Sequence, residues 1–184
     1  MNPDEVAAIA VEMADAWNAQ DLDHFLEFLT DDVEWADPAM QTPAKGKEAV
    51  ERFARSVLRA FPDFEYTVRP PVCVSADGSR CAVPWRIAAT HRDYLEPPGF
   101  APTNRQAVFE GVDLLEFRGL QVFKIETLFD VIPPAEQLLG MSLRPPVGGV
   151  REKCAVAFQR VFAFWVRSVR RGSSGKGNGQ EPVG

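Results

Sequence analysis

Apolar residues recur at helical spacing in the first third of the chain and alternate with polar ones afterwards. Val6, Ile9, Met13 and Trp17 fall three or four residues apart, which predicts a first helix with one buried stripe. Asn2 is placed to cap it, Pro3 suits its first position, and Asp4 and Glu5 suit its positive end. After the break "NAQD", Asp21 caps a short second helix whose Leu22, Phe25, Leu26 and Leu29 form another stripe. "VEWAD" follows as a strand with Val33, Trp35 and Asp37 on one face, and "PAMQTPAKG" reads as loop. Lys47 to Phe61 predict a third helix with Val50, Phe53, Val57 and Phe61 inward, stopped by Pro62 and Asp63.

The period then changes from 3.6 to two. "FEYTVRP", "VCVS", "CAVPWRIAATH", "AVFEGVDLLEF" and "LQVFKIETLFDV" are predicted strands, with turns at "ADGS" and "RG". Between His91 and Gln106, "HRDYLEPPGFAPTNRQ" is too rich in Pro, Gly and Asn to continue a ladder. It is expected as a long hairpin loop, of the kind that often serves as a lid. Helices first and antiparallel strands afterwards predict an α+β fold, a curved sheet with helices on its concave side.

One strand poses the chemical question. In "VFEGVDLLEF", Phe109, Gly111, Asp113, Leu115 and Phe117 share a face, so a carboxylate sits mid-way along a row that is otherwise apolar or bare. Either Asp113 is an acid/base group in an apolar hollow, or it pairs with a loop amide or an arginine and fixes the wall. The opposite face carries Val112 and Leu114 between Glu110 and Glu116. A sheet apolar on both faces needs cover on both, so the convex face is expected to form a homodimer.

Composition narrows the function. A net charge of −6 disfavours a general nucleic-acid binder. The start "MNPDEVAAIAVEMADAW" carries acids and reads as a helix rather than a signal peptide, and no apolar run is long enough to span a bilayer. With three cysteines, an odd count, reduced thiols and a cytoplasmic location are expected. Cys73 and Cys81 flank "SADGS" symmetrically, so a cross-hairpin disulfide is a less favoured alternative.

The expected domain covers residues 1–143, followed by a linker at 144–149. Residues 150–171 form a basic amphipathic helix with Cys154, Phe158, Val161, Phe162, Trp165 and Val169 on one face, and 172–184 a flexible polar tail. The helix carries +5 from Arg151 to Arg171, leaving −11 on residues 1–150. Docking on its own domain or dimer is the favoured reading of that helix, then a partner protein, then an anionic membrane surface.

The order of elements, with the phrases "AWNAQDLDHFLEFLTDDVEWADPA", "KGKEAVERF", "AFPDFEYTV", "FEGVDLLEF" and "AEQLLG", resembles the SnoaL-like polyketide cyclase branch of the nuclear transport factor 2-like superfamily. The resemblance covers roughly residues 5 to 141. It implies a conical α+β barrel with a deep apolar pocket, usually dimeric, needing no cofactor. It also implies that Asp113, Val33, Trp35 and Asp37 line that pocket. SnoaL-like cyclases carry their principal catalytic aspartate on the last strand; here "IETLFD" puts Thr127 at that place, and Glu126 faces the other way. Thr127 can orient a carbonyl or hydroxyl but is no acid or base at neutral pH. The related limonene-epoxide-hydrolase branch has Arg-x-Asp where this chain has Gly111-Val112-Asp113, so epoxide hydrolysis would require another arginine, with Arg86 the nearby candidate.

The expected function is a cofactor-independent acid/base enzyme, a cyclase, isomerase or dehydratase acting on a polyketide-like or other hydrophobic cyclic molecule. Asp113 is its acid/base group, Asp37 assists, and Thr127 orients the substrate. Asp37 can equally cap the turn before Pro38. Trp17, Trp35 and Trp85 are candidates to stack on a flat ligand or to pack the core. His91, at the start of the loop, and Leu115 complete the candidate substrate-binding set, while Gly111 leaves room for a bulky ligand against the wall. Asp130 is expected to cap the helix "IPPAEQLLG". A non-catalytic ligand-binding or assembly module of the same fold is the alternative. Nucleotide-binding, serine-hydrolase and zinc motifs have no counterpart in the sequence.

Overall fold

The computed structural model describes residues 2–96, 99–143, 148–150, 152–154 and 156–160. Residues 1–141 form one compact unit, and the described residues beyond 141 belong to a second. Most of the expected basic helix, from 161 onward, and the whole tail lie outside the described residues; residues 156–160 are helical.

The first unit runs α1 (Pro3–Asn18), α2 (Leu22–Glu27), β1 (Leu29–Ala36), β2 (Ala44–Lys45), α3 (Lys47–Ala60), β3 (Glu65–Val68), β4 (Cys73–Val74), β5 (Arg80–Thr90), β6 (Gln106–Arg118), β7 (Gln121–Phe129) and α4 (Ile132–Leu139). Local chemistry sets the boundaries. Asn2 caps α1 by accepting from the Asp4 N–H at 3.0 Å, and Asp21 caps α2 by accepting from the His24 N–H at 3.0 Å. The Asp130 carboxylate accepts from the Ile132 N–H at 3.0 Å where α4 begins. Gly140, in the left-handed region at φ 66°, ends α4. Leu29 does not extend the second helix: α2 stops at Glu27, and Leu29 opens β1 opposite Val122, fully buried.

The sheet is curved and unclosed, ordered β2-β1-β7-β6-β5-β3, with β4 paired to β5. β1 and β7 run parallel and the remaining pairs antiparallel. The architecture is α+β, as the change of period predicts. Val6, Val33, Val50, Leu29 and Val122 are fully buried between helices and sheet. Burial of each such side chain stabilises the fold by roughly 1.5–3 kcal/mol.

Hairpin register decides the cysteine question. Cys73 pairs with Ala82 and Cys81 with Val74, so the two thiols lie on opposite faces and are free. On the convex face, Val112 pairs with both Pro84 and Leu128, and Leu128 is 45% exposed.

Candidate active site

Alternation along β5 turns Val83, Trp85, Ile87 and Ala89 to the concave face, and along β6 it turns Ala107, Phe109, Asp113 and Leu115. With Trp17 of α1, Phe53 and Val57 of α3, Leu138 of α4 and the loop after β5, they enclose a cavity of about 700 Å³. That is the size of a site for a drug-sized organic molecule. Its wall is mostly apolar, and its own side chains do not fill it.

Asp113 lies at the centre of the β6 row, paired with Val83 on one side and Thr127 on the other. The Tyr66 hydroxyl donates to Asp113 Oδ2 at 2.9 Å. Oδ1 is buried and has no hydrogen-bond partner among the described residues. Burial pushes the Asp113 carboxyl above its ordinary pKa; Thr127, Tyr66 and Trp85, as hydrogen-bonding neighbours, oppose this in part. Trp85 acts at longer range, since its Nε1 makes no hydrogen bond of good geometry. Burial raises the Tyr66 hydroxyl's pKa too, with the Asp113 charge and hydrogen bond adding, so Tyr66 is a protonated donor at neutral pH.

Asp37 follows β1 directly and lines the same cavity. Its Oδ1 accepts from the Ala39 N–H at 2.7 Å, closing the turn through Pro38. The two readings of Asp37 are therefore compatible, because one oxygen serves the turn while the carboxyl borders the cavity. Burial is the main cause that pushes its pKa up to about 6; the Ala39 N–H opposes, and the Asp113 charge adds. Two carboxyl groups thus share an apolar hollow, and the charge of Asp113 is felt at Asp37.

Thr127 is 7% exposed, and its Oγ1 accepts from Trp35 Nε1 at 3.0 Å. Trp17, Trp35 and Trp85 all border the cavity, but their rings are engaged with neighbours. Trp17 meets Phe25, Trp35 and Phe64 edge-on at 5.3, 5.7 and 5.8 Å. Trp85 stands edge-on to Phe109 and Phe129 at 5.7 and 5.9 Å. They form a rigid aromatic lining. His91, at the start of the loop, is 3% exposed, stacks on Phe61 at 5.1 Å and borders the cavity, as does Leu115.

Three sequence expectations need correction. Val33 does not line the cavity with Trp35 and Asp37; it is fully buried in the core between helices and sheet. Gly111 does not make room for a ligand. A Cβ there would lie 2.4 Å from a Trp85 ring carbon and 2.6 Å from the Leu128 carbonyl oxygen, so the indole occupies that space. Arg86 does not join Asp113: it is exposed, pairs with Glu110, and faces away from the row of Trp85 and Ile87. Among the described residues no arginine lines the wall. Glu126 likewise pairs with Leu114 and lies outside the cavity lining.

Sequence reasoning missed Tyr66. Burial alternates along its four-residue strand, with Glu65 and Thr67 exposed and Tyr66 and Val68 half-buried, so the inward face was legible but not the reach of the hydroxyl to Asp113. Among the described residues no group of three His, Cys, Asp or Glu side chains is arranged to hold a metal, and no helix is long and apolar enough to cross a membrane.

The model of the SnoaL-like domain matches residues 10–125. The chain belongs to the SnoaL-like family. Solved structures share the fold at low identity. A provisionally named SnoaL-like polyketide cyclase from a Jannaschia species is 21% identical, covers 77% of this chain and 94% of its own, and superposes with a TM-score of 0.65. A provisionally named polyketide cyclase from Pseudomonas putida is 18% identical, covers 72% and 97%, and has a TM-score of 0.64. AclR from Streptomyces galilaeus, provisionally named a hydroxylase, is 21% identical, covers 76% and 99%, and has a TM-score of 0.63. No curated protein matches the sequence. At these identities the SnoaL-like structures establish the architecture, and the chemistry has to come from the residues on this chain's own wall.

Proposed function

We propose that this SnoaL-like protein is an acid/base enzyme that works without a cofactor on a hydrophobic, polyketide-like cyclic molecule, as a cyclase, isomerase or dehydratase. The observation that carries this reading is the pair Asp113 and Asp37 in one apolar cavity, both with raised pKa. Desolvation makes a carboxylate a stronger base, and matching its pKa to the working pH favours proton transfer. Asp113 as carboxylate removes a proton from a carbon next to a carbonyl. The C–H electron pair moves into the enolate, and the carbonyl oxygen takes the charge. Tyr66 fixes Oδ2, so Oδ1 is the atom that takes the proton. Asp37, protonated over part of the neutral range, can supply a proton to the enolate or to a leaving hydroxyl. Thr127 holds a substrate oxygen or the Asp113 side chain in place. In this reading a second copy of the chain covers the convex face around Leu128.

A second reading, ligand binding without turnover, is favoured by Thr127 standing where the family's last-strand acid is expected. One experiment separates the two. β-Tetralone in deuterium oxide is followed by proton NMR for exchange next to its carbonyl, with wild type and Asp113→Asn. Acid/base catalysis predicts exchange accelerated by the wild type and reduced about 100-fold or more in the variant. Exchange unchanged by the substitution overturns the assignment of Asp113. Quenching of tryptophan fluorescence by the ketone without any exchange supports the binding reading.

A further inference from the structure

Buried polar atoms in folded proteins are nearly always hydrogen-bonded, and leaving one unpaired costs roughly 1–3 kcal/mol. Among the described residues six buried side-chain atoms lack a partner, and five of them belong to residues on the cavity wall: Trp17 Nε1, Trp85 Nε1, Asp113 Oδ1, His91 Nε2 and Thr103 Oγ1. The first three belong to residues of the inner helix and central strands. The last two belong to residues at the two ends of the loop between β5 and β6.

Their place follows from strand parity. His91 continues the inward row Val83, Trp85, Ile87, Ala89 one step past the end of β5. Val83 is the register partner of Asp113, so His91 lies eight residues further along the same row, roughly 26 Å of strand at about 3.3 Å per residue. The curvature of the sheet shortens that path through the cavity. The backbone at this end is pinned: the His91 N–H donates to the Arg105 carbonyl at 3.0 Å, and the Asn104 N–H donates to the His91 carbonyl at 2.9 Å. The second bond brings Thr103, next to Asn104, alongside His91. The stack on Phe61 fixes the imidazole plane. Between the two ends the wall is apolar, with Ile87, Ala89, Ala107 and Phe109.

We propose that His91 and Thr103 form a second polar station of the cavity, which recognises a hydroxyl group at the end of the ligand remote from Asp113. The inference rests on the small-molecule reading of the cavity and adds a feature of the ligand: elongated, apolar in the middle, with an oxygen at both ends. A neutral imidazole has one nitrogen that donates and one that accepts, and a threonine hydroxyl does both. A hydroxyl, which also donates and accepts, satisfies both orphaned atoms at once. Burial lowers the His91 pKa, with hydrogen bonding to the Asp93 and Phe100 backbone opposing in part, and a lowered pKa favours the neutral ring.

The test uses para-acetylbiphenyl and para-acetyl-terphenyl, each with and without a hydroxyl on the ring farthest from the ketone, titrated by quenching of tryptophan fluorescence. The wild type is expected to bind at least one hydroxylated probe about tenfold more tightly than its parent. His91→Phe keeps the stack on Phe61 and removes both nitrogens; Thr103→Val keeps the shape and removes the hydroxyl. In each variant the gain from the probe hydroxyl, taken as the ratio of that variant's affinities for the hydroxylated and plain ketone, should fall below about threefold. Thr103→Val keeps the proposal open to refutation if His91→Phe fails to fold. A hydroxyl that brings no gain in the wild type, or a gain that survives in the variants, overturns the station while leaving the cavity reading intact. Failure of all four probes to bind the wild type overturns the cavity reading and the station with it.

Discussion

Thr127 stands directly across the β6–β7 pair from Asp113, and its hydroxyl oxygen accepts the Trp35 indole N–H at 3.0 Å. One hydroxyl thus ties β1 to β7 and leaves its own proton for the Asp113 side, where it opposes the rise in that carboxyl's pKa. Thr127→Val removes the acceptor, keeps the volume and strands the buried N–H. Stability should fall by about 1–3 kcal/mol, measured by urea denaturation, and Thr127→Ser should recover most of it. If Thr127→Val is as stable as wild type, the bond to Trp35 is not holding these strands.

Tyr66 offers a cleaner test of Asp113. Its hydroxyl bond to Oδ2 favours the carboxylate and so lowers a pKa that burial raises. Tyr66→Phe deletes the donor and nothing else of comparable size. The Asp113 pKa should rise further, moving the acid limb of the exchange-rate profile to higher pH. Carboxyl chemical shifts of carbon-13-labelled aspartate report the same change without requiring activity.

Asp37 makes stability depend on pH in the unusual direction for an acid. Its pKa rises from the ordinary 3.8 to about 6 on folding. Between those values the folded state holds more protons than the unfolded state, so stability is highest below about 3.8 and falls as pH rises through about 6. The loss is on the order of 3 kcal/mol by pH 7. Asp37→Asn keeps an oxygen for the Ala39 N–H and removes the charge. The variant should be more stable than wild type at pH 7, with the difference vanishing near pH 4. Equal stability of the two proteins at pH 7 would show that Asp37 is solvated.

Much of the site was legible because alternation is a strict rule. Placing Asp113 on a strand fixed which neighbours share its face, and the last strand put Thr127 on the cavity side and Glu126 off it. The helix caps at Asn2 and Asp21 follow from residue chemistry in the same way. What was hidden depends on distance across strands. Tyr66 pairs with Ile87, not with a neighbour of Asp113, and it reaches the carboxylate because the sheet bends. The parity of Val83 through His91 was available all along, but the Pro-rich loop beginning at His91 masked it. Gly111 shows the limit most directly. A missing side chain announces that something comes close, without saying whether a ligand or the protein itself does.

The occupant of that space is Trp85, and this sets the last expectation. The two residues are register partners on β5 and β6, and the indole occupies the space a side chain at the glycine would need. Trp85 is 1% exposed and held by Tyr66, Phe109 and Phe129, so it has nowhere to retreat. Gly111→Ala would set a methyl group 2.4 and 2.5 Å from two ring carbons and 2.6 Å from the Leu128 carbonyl oxygen. Overpacking of this kind destabilises by about 1–3 kcal/mol, or roughly 2–4 °C of Tm per kcal/mol in a domain of this size. Calorimetry should show that fall in Gly111→Ala. Adding Trp85→Phe should return part of it, because the smaller ring frees the space, and the pair of substitutions would then cost less than their sum. Strict additivity would mean that the strain lies against the Leu128 backbone instead, and that the indole does not set the need for glycine.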